Sequence, residues 1–285
     1  MRISIITINF NNREGLSKTI ESVVNQTYNN IQYIVIDGGS TDGSVDVIKA
    51  YADKIDFWVS EPDKGIYNAM NKGIDVAKGE YCLFLNSGDY LHTSGTIENV
   101  VETNLCDDVI MGLVKYVPSG RIGYTDIKVP ITLLDFYKGS PIPHPAAFIR
   151  KELLLKHCYD ENLKIVSDWK FFLQCIIIDQ CSYKILDFVI TDFLEGGVCS
   201  NRAVGEKERQ KCLEELFPSG IRVDYVRFLN GEGYDESNYD RFFISLKKYK
   251  YSKVIYTFSV LVVRFISLFK PSAKFAREFP INAAK

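Results

Sequence analysis

Strand-like and helix-like segments alternate over the first 115 residues of the chain. Ile3 to Phe10 has the apolar run of a buried strand, Glu14 to Gln26 carries its apolar residues on one helical face, and Gln32 to Asp37 is a second strand. The alternation continues with a helix at 44–51, a strand at 56–59, a helix at 65–77 and a strand at 81–85. This pattern predicts an α/β fold, a Rossmann-like wound and mostly parallel sheet with helices on both faces.

Polar side chains follow each of these four strands. In a parallel sheet the carboxyl ends of the strands meet at one edge, and ligands bind there, near the point where the strand order reverses. We therefore expect one ligand cleft lined by these polar residues, which are Thr7, Asn9, Asn11, Asp37, Glu61, Asp63 and the run from Asn86 to Asp89.

The turn after the first strand argues against a dinucleotide-binding protein. The dinucleotide fingerprint needs several glycines at this point, because the backbone must approach a pyrophosphate closely. The turn here is NFNNREG, with Gly15 as its single glycine, and the chain has no P-loop motif. A dinucleotide-dependent oxidoreductase is therefore disfavoured.

The second half of the chain has a different pattern. Val109 to Tyr116 and Ile122 to Thr125 flank the turn PSGR and predict a hairpin. Beyond it we expect a short strand ending at Arg150, helices at 151–157 and 168–178, a strand at 183–190 and helical structure from Ala203 onward. We divide the chain into a domain at 1–200, whose halves meet near residue 115, and a helical extension at 201–285.

Cysteine usage and the N-terminal segment favour a reduced, cytoplasmic protein. The seven cysteines are scattered and never spaced as CxxC, which argues against a disulfide framework and a zinc site. The first strand is interrupted by asparagines and offers no apolar stretch of signal-peptide length.

Asp37 ends the second strand, in the sequence VIDGGSTDGS. A carboxylate at this position can accept hydrogen bonds from a ribose or from a base N–H. The alternative is a turn-forming or helix-capping acid. Because Asp42 is the better candidate to cap the next helix, we expect Asp37 to be free for a ligand.

Asp89 ends the run YCLFLNSGD after the fourth strand. It could be a metal ligand that holds a diphosphate, a general acid or base, or a cap for a helix at 93–101. Capping is disfavoured, because Thr93 or Ser94 is better placed. Mg²⁺ and Mn²⁺ bind through one or two carboxylates plus phosphate oxygens, so one well-placed Asp can suffice.

Three motifs together resemble one enzyme family. The segments IITINFNNREGLSKTIESVVNQTYNNIQYIVIDGGSTDGS, EPDKGIYNAMNKGIDVAKGEY and FLNSGD are similar to the nucleotide-binding half of inverting family 2 glycosyltransferases, which have the GT-A fold. The resemblance is dense over residues 2–92 and looser to about residue 195. It implies that residues 1–115 bind a nucleotide sugar, that 116–200 bind the acceptor, and that a divalent metal, Mn²⁺ or Mg²⁺, is the cofactor.

The resemblance also implies roles for individual residues. It places Thr7, Asn9 and Asp37 around the nucleoside, and it lines the rest of the donor site with Lys64, Asn68, Asn71, Ser87 and Asp89. The metal motif of the family is Asp-x-Asp. Ser87 stands at its first position, so Asp89 remains as the charged metal ligand, and Asn68 stands where relatives often carry Asp. Both changes remove negative charge and leave open whether metal is strictly required.

The segment IVSDWKFFLQC resembles the part of the family that supplies the general base. The resemblance assigns this role to Asp168, since a sugar hydroxyl is a poor nucleophile until a carboxylate takes its proton. The alternative is that Asp168 or Ser167 caps the following helix.

Two further residues are candidates for acceptor binding. His144 lies between prolines in SPIPHPAAF, where we expect a rigid, exposed loop, and relatives tend to have His before this strand. Trp169 could stack on an acceptor sugar or pack in the core.

The C-terminal tail differs in charge from the rest of the chain. The net charge is −2, but residues 247–285 hold nine Lys or Arg and one acid, a net of +8. The apolar stretch at 254–269 is too short for a membrane span, so it is either a packed or dimer-forming helix or an amphipathic helix at the inner face of the cell membrane. We favour the membrane surface, because lipid-linked acceptors are found there. Nucleic acid is disfavoured, because the body of the protein is acidic.

We therefore expect an inverting, metal-dependent glycosyltransferase of surface polysaccharide biosynthesis, such as that of capsule or O-antigen. It would transfer a sugar from a UDP-linked donor to a hydroxyl of a glycan or lipid-linked oligosaccharide. The alternatives are a catalytically inactive scaffold that binds nucleotide sugar and a sugar-1-phosphate nucleotidyltransferase. The sugar, the linkage and the oligomeric state do not follow from the sequence.

Overall fold

The structure, a computed structural model, describes residues 1–195 and 202–230 of the 285-residue chain. The first half alternates as predicted. Its elements are β1 (Ile3–Asn9), α1 (Arg13–Val24), β2 (Ile31–Asp37), α2 (Ser44–Ala50), β3 (Phe57–Ser60), α3 (Ile66–Val76), β4 (Tyr81–Asn86), the short β5 (Tyr90–Leu91) and α4 (Thr96–Glu102).

The second half is more irregular. Its elements are β6 (Val109–Val117), β7 (Ile122–Gly123), α5 (Leu133–Lys138), β8 (Ala147–Arg150), α6 (Lys151–His157), α7 (Ser167–Leu173) and β9 (Tyr183–Leu194). The helix predicted at 168–178 is α7 followed by a π-helical turn at Gln174–Ile178. β9 extends to Leu194 because its last residues pair with both β6 and β5.

The central strands are apolar because helices cover both faces of the sheet around them. All seven residues of β1 are buried, and so are the first five of β4. Helix α1 packs Leu16, Ile20 and Val23 into the core. Strands buried on both faces are typical of parallel sheets with helical crossovers.

The strands form one sheet in the order β3-β2-β1-β4-β8-β6-β9-β5, with β7 paired to β6. β1 is parallel to β2 and β4, and β2 is parallel to β3. The other half is mixed, since β8 is antiparallel to β4 and β6 whereas β9 is parallel to β6. The chain proceeds from β1 outward to β3 and then returns to β4 on the other side of β1. The switch point therefore lies at the carboxyl ends of β1 and β4, where ligands bind in such sheets.

Two helices are described beyond β9, namely α8 (Arg202–Leu216) and α9 (Ser219–Asn230). The chain forms two compact units, Met1–Phe217 and Pro218–Lys285. The first unit extends past the predicted boundary at residue 200, because α8 is bonded to the backbone before α7 through Glu208.

Among the described helices, none combines the length and the apolar character that a membrane crossing requires. The apolar stretch at 254–269 and the basic tail lie outside the described residues.

Candidate active site

The turn after β4, residues 86–89, is held rigidly by α1. Asn12 Nδ2 donates to the Ser87 carbonyl at 2.8 Å, and Thr19 Oγ1 donates to the Asp89 carbonyl at 2.7 Å. The Gly88 N–H donates to Thr19 Oγ1 at 3.0 Å. Gly88 has a φ of 107°, a conformation that favours glycine. The chain direction at the switch point is therefore set by the first helix.

Asp89 is buried at this turn, and 4% of its surface is exposed. Its Oδ1 accepts a hydrogen bond from the backbone N–H of Leu194, at the end of β9. Burial raises the pKa of the Asp89 carboxyl to about 7, although the Leu194 hydrogen bond acts to lower it. A carboxyl in this position gains from a nearby cation, since a positive charge favours its ionised form.

The oxygen atoms of this turn fit a hard divalent cation. Asn86 Oδ1 is buried and has no hydrogen-bond partner among the described residues, so this turn offers an amide oxygen as well as the Asp89 carboxylate. Mg²⁺ and Mn²⁺ prefer such oxygens and can complete their shell with phosphate oxygens. Residues 1–195 and 202–230 contain no cluster of three or more His, Cys, Asp or Glu that could hold a metal alone.

Asp37 is not free for a ligand, which corrects the expectation from sequence. Its side chain is fully buried. Oδ1 accepts from Asn9 Nδ2 at 2.7 Å and Ser40 Oγ at 2.6 Å, and Oδ2 accepts from the Ser40 N–H at 2.9 Å and Ser60 Oγ at 2.5 Å. Burial raises the pKa of Asp37, but the hydrogen bonds from Ser40, Ser60 and Asn9 outweigh it and hold the pKa below its usual value. The carboxylate instead fixes the loop after β2 and the end of β3.

Thr7 and Asn9 are also inside the protein, with 0% and 1% of their surfaces exposed. Thr7 Oγ1 shares a hydrogen bond with the Tyr33 hydroxyl, at 3.1 Å. Both residues therefore face buried partners.

Phe10 is an exposed residue of the cleft that the sequence reasoning did not single out. Its side chain follows β1 directly and is 64% exposed. A Cβ added at Gly38 would lie 3.2 Å from Phe10 and 2.5 Å from the Asp63 carboxylate, so the loop after β2 approaches both closely. An aromatic residue among asparagines after the first strand was the available signal.

The residues in and just before α3 that are predicted to bind the nucleotide sugar differ in their surroundings. Lys64, just before the helix, is exposed. Asn68 and Asn71 both donate to the Glu161 carboxylate at 2.9 Å, and Asn71 also exchanges two hydrogen bonds with the Tyr159 backbone. These amides therefore tie α3 to the segment that precedes α7.

Asp168 lies in the first turn of α7 and is half-buried. Tyr67 Oη donates to Asp168 Oδ1 at 3.0 Å. Neither side chain proposed as a cap makes a capping hydrogen bond, and Ser167 Oγ instead accepts the Asp160 N–H. Among the described residues, Asp168 Oδ2 has no hydrogen-bond partner.

The backbone before α7 is held by α8. The Glu208 carboxylate accepts from the N–H groups of Lys164, Ile165 and Val166, at 2.7, 2.9 and 3.3 Å. Three consecutive donors on one carboxylate fix the point at which the helix carrying Asp168 begins.

His144 is buried, which corrects the expectation of an exposed loop. It lies in a single 3-10 turn, its ring stacks on Phe84 with centroids 5.2 Å apart, and its Nε2 is 2.8 Å from the Tyr159 hydroxyl. Burial lowers the pKa of His144, and the Asp168 charge acts in the opposite direction. The aromatic residues that enclose it come from other parts of the chain.

Trp169 is a core residue rather than an open stacking face, since 2% of its surface is exposed. Its ring packs against Phe136 in a T-shaped contact with centroids 5.9 Å apart, and its Nε1 donates to the Gly139 carbonyl at 2.8 Å. Gly139 in turn lines a groove of about 550 Å³ between the β7 region, residues 121–128, and the loop at 138–141. Trp169 therefore supports one wall of a groove that lies beside α7.

Residues 4–158 match the family model "Glycosyl transferase family 2". The chain is 32% identical over 238 residues to an uncharacterized glycosyltransferase of Mycobacterium tuberculosis, which covers 80% of this chain and 90% of that protein. This chain belongs to glycosyl transferase family 2. The predicted family is confirmed, and so is the prediction of a glycosyltransferase.

Further comparisons agree with this family. This chain is also 28% identical to a PGL/p-HBAD biosynthesis glycosyltransferase of Mycobacterium bovis, over 78% of this chain and 88% of that protein. Among solved structures, residues 1–349 of S. aureus TarS in complex with UDP-GlcNAc are similar, with a TM-score of 0.62 and 21% identity. That match covers 75% of this chain and 64% of the TarS chain. The likeness confirms the GT-A fold, whereas the roles of individual residues stay predictions.

Proposed function

We propose that this glycosyltransferase is an inverting enzyme of surface polysaccharide biosynthesis, which transfers a sugar from a UDP-linked donor to a hydroxyl of a glycan or lipid-linked acceptor. The observation that carries the proposal is the geometry of Asp168. One carboxylate oxygen is held by Tyr67, and the other has no partner among the described residues. A half-buried carboxylate with one oxygen available is suited to accept a proton.

In the proposed reaction Asp168 takes the proton of the acceptor hydroxyl as its oxygen attacks the anomeric carbon. The bond between that carbon and the diphosphate oxygen breaks, and the nucleoside diphosphate leaves with the electron pair. Attack from the side opposite the leaving group inverts the anomeric centre. No side chain forms a bond to the sugar, so Asp168 acts only on the proton.

The donor would bind at the carboxyl ends of β1 and β4. Phe10 offers an exposed ring to the base, and Lys64 offers a positive charge. Thr7, Asn9 and Asp37 are buried, and we propose that they shape the loops around the nucleoside. Asn68 and Asn71 position α3 at the same site through Glu161 and Tyr159.

The diphosphate would lie at the turn that follows β4, beside Ser87. Asp89 and Asn86 would hold Mg²⁺ or Mn²⁺, whose charge offsets that of the departing diphosphate. The acceptor would bind in the groove of about 550 Å³ beside Gly139.

A two-part experiment tests this function. Nucleotide sugars with UDP, GDP and dTDP heads are screened for thermal stabilisation in the presence of Mn²⁺, because a ligand specific to the native state raises the melting temperature. The best donor is then followed for release of nucleoside diphosphate in the parent and in Asp168→Asn. We expect the variant to lose about 10²- to 10⁴-fold in rate and to keep the thermal shift.

Two results would contradict the proposal. Full activity of Asp168→Asn would remove this residue from catalysis. Donor binding without any turnover in the parent would favour the scaffold alternative.

A further inference from the structure

We propose that Tyr67 is a positioning residue for Asp168 and that it couples the donor-side helix α3 to the general base. This inference rests on the proposed role of Asp168. Tyr67 Oη donates to Asp168 Oδ1 at 3.0 Å across 101 residues of sequence. It is the only hydrogen bond to this carboxylate among the described residues. With Oδ1 held, Oδ2 is the oxygen that meets the acceptor.

Tyr67 is itself fixed in place. Its side chain is 5% exposed, and its ring packs on Tyr159 with centroids 5.7 Å apart. The Tyr159 backbone exchanges two hydrogen bonds with the Asn71 side chain, each of 2.9 Å. Asn71 lies one helical turn after Tyr67 on α3. The hydroxyl therefore points at Asp168 from a rigid support, which a freely rotating donor could not do.

Tyr159, on which the Tyr67 ring packs, and its partner His144 are buried and uncharged. The Tyr159 hydroxyl bonds to His144 Nε2, and burial raises the pKa of Tyr159 well above its usual value, with the Asp168 charge adding to the effect. Burial lowers the pKa of His144. Within residues 1–195 and 202–230 Asp168 forms no ion pair, so its orientation depends on the Tyr67 hydroxyl.

The position of Tyr67 on α3 has a functional consequence. The same segment carries Lys64 before the helix and Asn68 within it, and both are predicted at the donor site. A donor that binds this segment would therefore contact the same helix whose Tyr67 hydroxyl positions the base. The hydrogen bond between Tyr67 and Asp168 thus links α3, on the donor side, to α7, on the acceptor side.

Tyr67→Phe tests the inference, because it removes the hydroxyl and keeps the ring that packs on Tyr159. The probe is the donor from the panel that stabilises the parent most, with water as acceptor and nucleoside diphosphate release as readout. We expect kcat to fall by about 10- to 100-fold, the loss typical of a misplaced catalytic group. The KM of the donor should stay within about twofold.

Tyr81→Phe is the matched control. Tyr81 is also a buried tyrosine, and its hydroxyl donates to the Asp107 carbonyl at 2.6 Å at the amino end of β4. Tyr81→Phe loses this hydrogen bond and the one that the hydroxyl accepts from Arg150 Nη2 at 2.9 Å, and neither of them involves Asp168. We expect its kcat to equal that of the parent even where its melting temperature falls as far as that of Tyr67→Phe.

A double-mutant cycle with Asp168→Asn separates positioning from a general structural effect. If Tyr67 acts through Asp168, Tyr67→Phe lowers the residual rate of Asp168→Asn no further. Multiplicative losses would overturn the inference, and so would a parental kcat in Tyr67→Phe. If Asp168→Asn alone keeps full activity, the proposed base fails as well. If Asp168→Asn is inactive and Tyr67→Phe is normal, the positioning role alone fails.

Discussion

The Leu194 N–H donates to Asp89 Oδ1 at 3.1 Å and joins the end of β9 to the turn after β4. The two residues are 105 positions apart in the sequence. Asp89, the proposed metal ligand, has 4% of its surface exposed. The charge state of Asp89 therefore depends on how β9 ends.

The stability of the metal-free protein has a pH dependence that follows from this burial. The folded pKa of Asp89 is about 7, above its ordinary value of 3.8, so the folded state holds a proton that the unfolded state has lost between these values. Stability contributed by this group therefore falls as pH rises from about 4 to about 7, by about 1.4 kcal/mol per unit at most, and is level above that range.

Asp89→Asn isolates this effect, because the amide oxygen can still accept the Leu194 hydrogen bond. In EDTA we expect the variant to exceed the parent in free energy of unfolding at pH 8 and to equal it at pH 4, measured by urea denaturation. A difference that is the same at both pH values would show that the pKa of Asp89 is not raised.

Removal of the Asp89 carboxylate should abolish metal-dependent nucleotide binding. The parent with Mn²⁺ and UDP at about 100 times the dissociation constant should gain about 2.7 kcal/mol of stability. For Asp89→Ala, measured by thermal unfolding, UDP with Mn²⁺ should raise the melting temperature no more than UDP with EDTA does. Asp53→Ala, at an exposed carboxylate, is the control and should respond like the parent. An undiminished shift in Asp89→Ala would place the metal elsewhere.

Phe10→Ala should weaken nucleotide binding with little change in stability. Because the ring is 64% exposed, its removal should alter the free energy of unfolding by less than about 0.5 kcal/mol. Loss of a base-stacking face should raise the dissociation constant of UDP about tenfold, measured by calorimetry. Phe57→Ala, on the edge strand β3 and 38% exposed, is the control. Equal UDP affinity in both variants would exclude stacking on Phe10.

Glu208→Ala should loosen the backbone in front of α7. The variant leaves three N–H groups without their carboxylate, so we expect a loss of about 1–3 kcal/mol in unfolding free energy. We also expect a lower kcat, because the backbone at residues 164–166 positions Asp168. The rise in melting temperature on binding the nucleotide sugar should be unchanged. Glu208→Gln keeps one acceptor oxygen and should be milder, and Lys207→Ala on the exposed face of α8 should match the parent. Equal kcat for Glu208→Ala and the parent would remove α8 from catalysis.

The first half of the fold was predictable because its signal is local. Apolar runs and helical periodicity depend on neighbouring residues, so β1 to β4 and α1 to α3 begin and end within a few residues of the predicted positions. The unpredicted β5 and the longer β9 arise from pairing between distant segments, which no short window of sequence contains.

The sequence by itself determined which polar residues follow which strands, and through its motifs it indicated the family that the comparisons confirm. The tertiary structure alone decided which of the candidate site residues are accessible. Asp37 accepts a hydrogen bond from Ser60 of the neighbouring strand, and Asp168 accepts one from the Tyr67 hydroxyl. His144 is enclosed by Phe84 and Tyr159. The physical reason is that burial and hydrogen bonding depend on contacts between segments far apart in sequence, whereas a motif records only the order of residues along the chain.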